Sequence, residues 1–249
     1  MKKLFLSFAL GICCCFLYAQ EIEVGEAEME VITVKEWNIL LCLNTSGFSI
    51  GFQQGKTPNA KDKHFWEVEF SYCMHHKAVL SRVPFGGRSY CYGKLYDLFF
   101  LRGGYGYQRI ITHKPYYGGV QIRYFFSAGA SICFGLPTYL EILIRDTIVG
   151  NHMKIERYNP DIHNDNNIYG GARVFDRFHK IAVRPGVYAK TGLNFDFSKN
   201  PLKTQALEVG FSMDIVFPFI QQMAFNRKKP AYFYAYIAYS FGKKKPRYE

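Results

Sequence analysis

The chain of 249 residues carries a net charge of +11, and aromatic side chains make up 18% of it, with 19 Tyr and 23 Phe. That length suits a single domain of β-barrel size. No run of about 18 apolar residues follows the N-terminal stretch, which excludes a membrane-crossing helix, and no nucleic-acid recognition motif accompanies the basic charge.

Lys2 and Lys3, the apolar or small stretch Leu4 to Leu17, and Ala19 read as an export signal over 1–19. Cys13 to Cys15 raise the question of lipid attachment, but Ile12 stands where that processing wants a small residue. Residues 20–36 are acidic and weakly patterned and read as a periplasmic lead-in. Cys42, Cys73, Cys91 and Cys133 then remain, and in an oxidising compartment they could pair in three ways. Their spacings match no zinc pattern, and Cys42, Cys73 and Cys133 fall in predicted strands, where a buried free thiol is the expectation.

From residue 37 the chain becomes a succession of alternating segments separated by polar, Gly-, Pro- or Asn-rich breaks, an all-β pattern with no competing helical period. Eight strands are predicted, at 37–53, 64–75, 94–111, 117–128, 131–144, 180–197, 204–217 and 231–242. In the first, the apolar side shifts from Ile39, Leu41 and Leu43 to Phe48, Ile50 and Phe52, which predicts a bulge near Thr45 to Gly47. Pro137 makes the fifth the least regular. Residues 180–197 are the clearest: Ile181, Val183, Val187, Leu193 and Phe195 share a face without any charge, opposite Arg184, Lys190 and Asp196.

A soluble sandwich alternates in the same way. The lengths decide for a membrane: these runs exceed the usual ~5–6 residues and match the roughly 9–11 that a tilted crossing needs. The polar faces also mix Gly, Ser and Tyr with charges of both signs. Arg123, Arg184 and Lys190 are expected to meet Glu67, Glu69, Glu208 and Asp214 across a narrow lumen, because a small barrel fills its interior with paired polar side chains. The fold class is therefore all-β: a small transmembrane up-and-down antiparallel β-barrel of eight strands over 37–242, in the cell outer membrane of a Gram-negative bacterium, with a basic tail at 243–249. Aromatic residue 241 closes the last strand as in barrels recognised by the outer-membrane assembly machinery, although the tail follows it. Outer-membrane lipids and lipopolysaccharide phosphates are the expected acceptors of the basic charge; nucleic acid is not an expected partner, and the chain is expected to be a monomer. With both termini periplasmic, Gln54–Lys63, Thr112–Tyr116, Arg145–His179 and Pro218–Pro230 are expected outside the cell. Arg145–His179, the longest, is the first candidate for binding.

Four stretches, all within 95–197, carry a family resemblance: Leu101-Arg102-Gly103-Gly104-Tyr105-Gly106; Ser127-Ala128-Gly129-Ala130-Ser131 followed by Pro137-Thr138-Tyr139-Leu140; Asn167-Ile168-Tyr169-Gly170; and Arg184-Pro185-Gly186-Val187-Tyr188-Ala189-Lys190. In their order they resemble a family of uncharacterised outer-membrane β-barrel proteins of the Bacteroidetes. The resemblance implies the fold and the location, and no activity.

Catalytic and metal signals are weak. There is no His-Glu-x-x-His and no Cys-x-x-Cys. Asp161, His163 and Asp165 alternate as ligands would in an extended loop, but Asp and Asn are ordinary loop formers. His75 and His76 read as strand-end polar residues. Some small barrels modify lipid A with a Ser or His near the membrane surface; His113, Ser49 and Ser131 are the candidates, with no spacing to link them. Gly103-Gly104-Tyr105-Gly106 lies in a strand pattern with no helix after it, so it is not a phosphate loop. No metal, cofactor or catalytic activity is expected. A structural or surface-interaction barrel is the favoured reading; the alternatives are a narrow conduit for a small molecule and a lipid A-modifying enzyme.

Overall fold

The computed structural model describes residues 33–58, 61–75, 77–81, 87–114, 119–146, 150–160, 162–163, 167–173, 180–200, 202–226 and 229–246. The expected export signal and all but the last four residues of the expected lead-in lie outside these. The described chain is built of strands: β1 (Thr33–Asn44), β2 (Gly47–Lys56), β3 (Asp62–Cys73), β4 (Leu80–Ser81), β5 (Tyr90–Cys91), β6 (Tyr96–Thr112), β7 (Gln121–Pro137), β8 (Tyr139–Asp146), β9 (Gly150–Arg157), β10 (Ile168–Gly171), β11 (Ala182–Asp196), β12 (Lys203–Ile220) and β13 (Lys229–Pro246). Eight of them close an antiparallel barrel in the order β1-β13-β12-β11-β7-β6-β3-β2. Each barrel strand lies beside the next in the chain, and β1 meets β13 to close the ring, so the barrel is up-and-down and has no free edge.

The barrel has the expected eight strands, but two strand assignments differ and offset each other in the count. The segment 37–53 is not one bulged strand but a hairpin, β1 and β2, joined at Thr45 and Ser46. A two-residue turn pairs residues of opposite parity, Cys42 with Ser49 for example, so it moves the apolar face from odd to even positions just as a bulge would. Conversely, 117–128 and 131–144 are not two strands. β7 runs unbroken through Ser127 to Ser131, whose small residues pack closely against β6 rather than turning. β1 also begins at Thr33, inside the expected lead-in, and β13 continues to Pro246, so Lys243 to Pro246 of the expected tail are strand, paired with β1 and β12.

These changes reorient the loops. The near rim, where β1 begins and β13 ends, also carries the short connections after β2, β6 and β11. The described parts of Gln54–Lys63 and Thr112–Tyr116 therefore share the rim where β1 begins and β13 ends, opposite the connections of the far rim, which corrects the expectation that all four loops lie on one side. The far rim carries the β1–β2 turn and the connections 74–95, 138–181 and 221–228. Much of Arg145–His179 is not loop: β9 and β10 flank β8 in a three-stranded sheet. Its inner side forms a small core of Leu140, Ile142, Tyr158 and Ile168 with Tyr90. Backbone hydrogen bonds knit the far-rim segments together, Leu95 N to Gln222 O (2.9 Å), Thr138 N to Leu95 O (2.9 Å) and Gly171 N to Arg88 O (3.0 Å).

The barrel is inside out. Along β12, Leu207, Val209, Phe211, Met213 and Ile215 are exposed on the wall while Ala206, Glu208, Ser212 and Asp214 are buried within. β3 does the same, with Trp66, Val68 and Phe70 outside and Glu67, Glu69 and Ser71 inside. On β13 the outer apolar face runs from Ala231 to Phe241. At about 3.3 Å per residue and a tilt near 40°, that spans roughly 25 Å, the height of a membrane-barrel apolar band.

Candidate functional site

Inward-facing side chains fill the lumen in three tiers. The far tier is apolar: Cys73, Leu98, Phe100, Cys133, Val216, Ile220, Tyr232 and Tyr234 form one buried cluster. Below it lies a charged middle tier centred on Arg102 of β6, which is 1% exposed. Arg102 Nη1 donates to Glu69 Oε1 (2.7 Å), and its Nε and Nη2 grip both carboxylate oxygens of Asp214 (3.1 and 2.6 Å). This two-pronged geometry is the strong form of an arginine–carboxylate pair. The guanidinium also lies 5.8 Å from the Phe100 ring centre and 5.6 Å from that of Tyr234. Lys190 Nζ donates to Glu69 Oε2 at 3.2 Å, stands 3.8 Å from Glu67, and sits 4.8 Å from the Tyr236 ring centre. Glu67 accepts from Gln53 Nε2 (3.0 Å), Ser127 Oγ (2.7 Å) and Tyr188 Oη (2.9 Å). Glu208 accepts from Asn194 Nδ2 (2.9 Å).

The near tier rests on two carboxylates. Asp196, fully enclosed, receives Lys244 Nζ (2.9 Å), Lys114 Nζ (3.2 Å) and Arg123 Nη2 (3.3 Å). Glu36 pairs with Lys63 Nζ (3.1 Å) and accepts from Asn38 Nδ2 (2.8 Å) and Thr204 Oγ1 (3.1 Å). The lumen thus holds Glu36, Glu67, Glu69, Asp196, Glu208 and Asp214 against Lys63, Arg102, Lys114, Arg123, Lys190 and Lys244. Among the described residues each of these six cations lies beside a carboxylate, which offsets much of the cost of burying ions, and the hydrogen bonds satisfy many of the remaining lone pairs.

Of the residues expected to meet in the lumen, the middle tier brings together Lys190, Glu67, Glu69 and Asp214. Glu208 is buried nearby but is held by Asn194. Arg123 lies apart, at the near rim with Asp196 and Glu36. Arg184 sits opposite Cys133 towards the far tier and makes no ion pair among the described residues; its Nε is buried without a hydrogen bond. The hub itself, Arg102, was not singled out from the sequence. The signal was present, because it is the one charge on an inner face that otherwise reads Leu98, Phe100, Gly104, Gly106, Gln108.

The catalytic candidates are not assembled. Ser49 and Ser131 are buried lumen residues, whereas His113 follows β6 at the near rim. His163 is buried, its Nδ1 accepting from Asn159 N (3.0 Å), its Nε2 3.6 Å from Glu156; Asp161 and Asp165 lie outside the described residues, as does His76. His75 Nδ1 accepts from Lys77 N (3.1 Å). Among the described residues no group of His, Cys, Asp and Glu is arranged to hold a metal, and the four cysteines are free thiols.

Fold and lumen together define a class, a small closed antiparallel barrel with an apolar wall and a charge-filled interior. No protein-family model matches the sequence, and no curated protein matches it. Among solved structures the chain is similar to the attachment invasion locus protein Ail of Yersinia pestis (6% identity over 85% of this chain and 95% of that one, TM-score 0.36). It is similar also to Neisserial surface protein A (12%, 85% and 96%, 0.37) and to the N-terminal β-barrel domain of Pseudomonas aeruginosa OprF (8%, 84% and 96%, 0.34).

Proposed function

We propose that this protein is a sealed barrel of the bacterial outer membrane, structural or surface-interacting in role and without catalytic activity. One observation carries the location: Arg102 is 1% exposed at the centre, whereas Phe211, Phe233 and Ile237 on the wall are 54%, 66% and 54% exposed. Exposed aromatic and aliphatic rows of this extent are stable in lipid and not in water. The resemblance of 95–197 to a Bacteroidetes outer-membrane family supports the same reading, and membership of that family is part of the proposal. The far rim, with its folded β8–β9–β10 sheet, is the part offered to the exterior. Lipopolysaccharide is the neighbour on that side, and the aromatic β13 is the strand presented to the assembly machinery. The chain acts as a monomer.

The filled middle tier argues against a conduit, since Arg102, Glu69, Lys190 and Asp214 occupy the lumen where a path would run. Gel migration of detergent-extracted outer membranes tests the reading. The folded barrel is expected to migrate differently from the boiled protein. A band found in the soluble periplasm and unmoved by boiling overturns it.

A further inference from the structure

The basic residues of the near rim divide into two sets. Those facing the lumen are each matched to a carboxylate: Lys63 to Glu36, and Lys114, Arg123 and Lys244 to Asp196. Of those facing outward, Arg109 pairs with Asp62 at 3.9 Å, but five lysines have no such partner. Lys35, Lys56, Lys203, Lys243 and Lys245 are all exposed, and among the described residues none of them makes an ion pair or a side-chain hydrogen bond.

Register brings these five together. Lys35 of β1 stands directly opposite Lys56 of β2 on one side and Lys245 of β13 on the other. Lys243 of β13 stands opposite Lys203 of β12. Like charges directly opposite on neighbouring strands are unfavourable, and here the pairing is repeated three times over four adjacent strands. Sequence alternation puts a polar side chain at these positions but does not require the same charge in each. Immediately towards the far rim, the wall turns apolar within four residues on every one of these strands: Lys35 gives way to Trp37 and Ile39, Lys56 to Gln54 and Phe52, Lys245 and Lys243 to Phe241, Lys203 to Gln205 and Leu207. At about 3.3 Å per residue, tilted, the ammonium groups stand at headgroup depth beside the apolar band.

We infer that this lysine patch across β2, β1, β13 and β12 is a binding surface for the phosphates of anionic phospholipid in the leaflet at the near rim. A diphosphate-free glycerophospholipid of net negative charge supplies the counter-charge that the protein wall lacks, and lysine stems lie along the apolar band while their heads reach the phosphates. This rests on the membrane-barrel reading above.

Trp37 lies between Lys243 and Gln54 in the register and reports on this patch. The chain contains two tryptophans, so Trp66→Phe leaves Trp37 as the sole reporter. The full chain is folded into phosphatidylcholine bilayers containing a minor fraction of phosphatidylglycerol. Bromine is placed near the headgroup end of the acyl chains of one lipid or the other, at equal mole fraction. Brominated phosphatidylglycerol is expected to quench Trp37 at least about twofold more than brominated phosphatidylcholine. The excess is expected to vanish when Lys35, Lys56, Lys203, Lys243 and Lys245 are all replaced by Gln and to persist when all five are replaced by Arg, with heat-modifiable migration checking that each variant folds. Equal quenching by both lipids in the parent, or an excess that survives the glutamine substitutions, overturns the lysine site and leaves the barrel reading intact. Quenching by neither lipid overturns the barrel reading itself, and this inference with it.

Discussion

Tyr188 Oη donates to Glu67 Oε1 at 2.9 Å across two intervening strands. The row of register partners is Tyr188 on β11, Gly129 on β7, Gly104 on β6 and Glu67 on β3. The phenol reaches its acceptor because neither intervening position has a side chain. A Cβ on Gly104 would collide with the Tyr188 hydroxyl and with the backbone carbonyl of Ala128. Gly104→Val is therefore expected to block assembly of the folded barrel, or to lower its stability by more than about 3 kcal/mol. Tyr188→Phe removes only the hydrogen bond, leaves Ser127 and Gln53 on Glu67, and is expected to cost about 1–3 kcal/mol. Urea titration in detergent, read by heat-modifiable migration, separates the two.

Arg102 neutralises two buried carboxylates at once. Arg102→Met leaves Glu69 with Lys190 alone and Asp214 with no cation among the described residues. The expected loss is about 3–5 kcal/mol, the cost of stranding buried charge. Adding Asp214→Asn is expected to restore part of it, because the neutral amide is cheaper to bury. Equilibrium unfolding of the single and double variants measures both, and an additive further loss would contradict the pairing.

A lumen filled in this way is expected not to conduct. Planar-bilayer recordings of the wild-type protein are expected to show no resolved current steps. Regular steps under the same conditions would show an open path through the middle tier.

Thiol reactivity reads the orientation. Cys91 is half-buried in β5 at the far rim, whereas Cys42, Cys73 and Cys133 are buried in the lumen. A membrane-impermeant maleimide applied to intact cells is expected to label Cys91 and to spare the other three until the barrel is unfolded. Labelling of Cys91 only after the outer membrane is breached would place the far rim inside.

Lys244 extends β13 beyond Phe241, and its Nζ bonds Asp196 at 2.9 Å. Truncation after Phe241 is expected to lower the unfolding midpoint measurably more than Lys243→Gln, since Lys243 points outward and has no protein partner among the described residues. Lys244→Gln is expected to cost about 1 kcal/mol, softened by Lys114 and Arg123 on the same carboxylate. Thermal unfolding of the three variants ranks them.

Which side chains face in and which face out follows from residue order along each strand. A strand has a period of two, so the charge-free row from Ile181 to Phe195 had to share one face, and the strand length pointed to that face being the wall of a membrane barrel. The same period made Glu67, Glu69, Lys190, Glu208 and Asp214 legible as lumen residues. It could not tell a two-residue turn at Thr45 and Ser46 from a bulge, because both shift the parity by one. Nor could it tell the small residues Ser127 to Ser131 from a break, because the reason for their size is the backbone of β6 lying against them. Partner choice belonged to the tertiary structure alone. Arg102 and Asp214 are 112 residues apart and meet only because the ring closes, and the outward lysines form a patch only because β1 is held between β2 and β13. Periodicity fixes direction along one strand; register and closure fix what each side chain finds across the lumen.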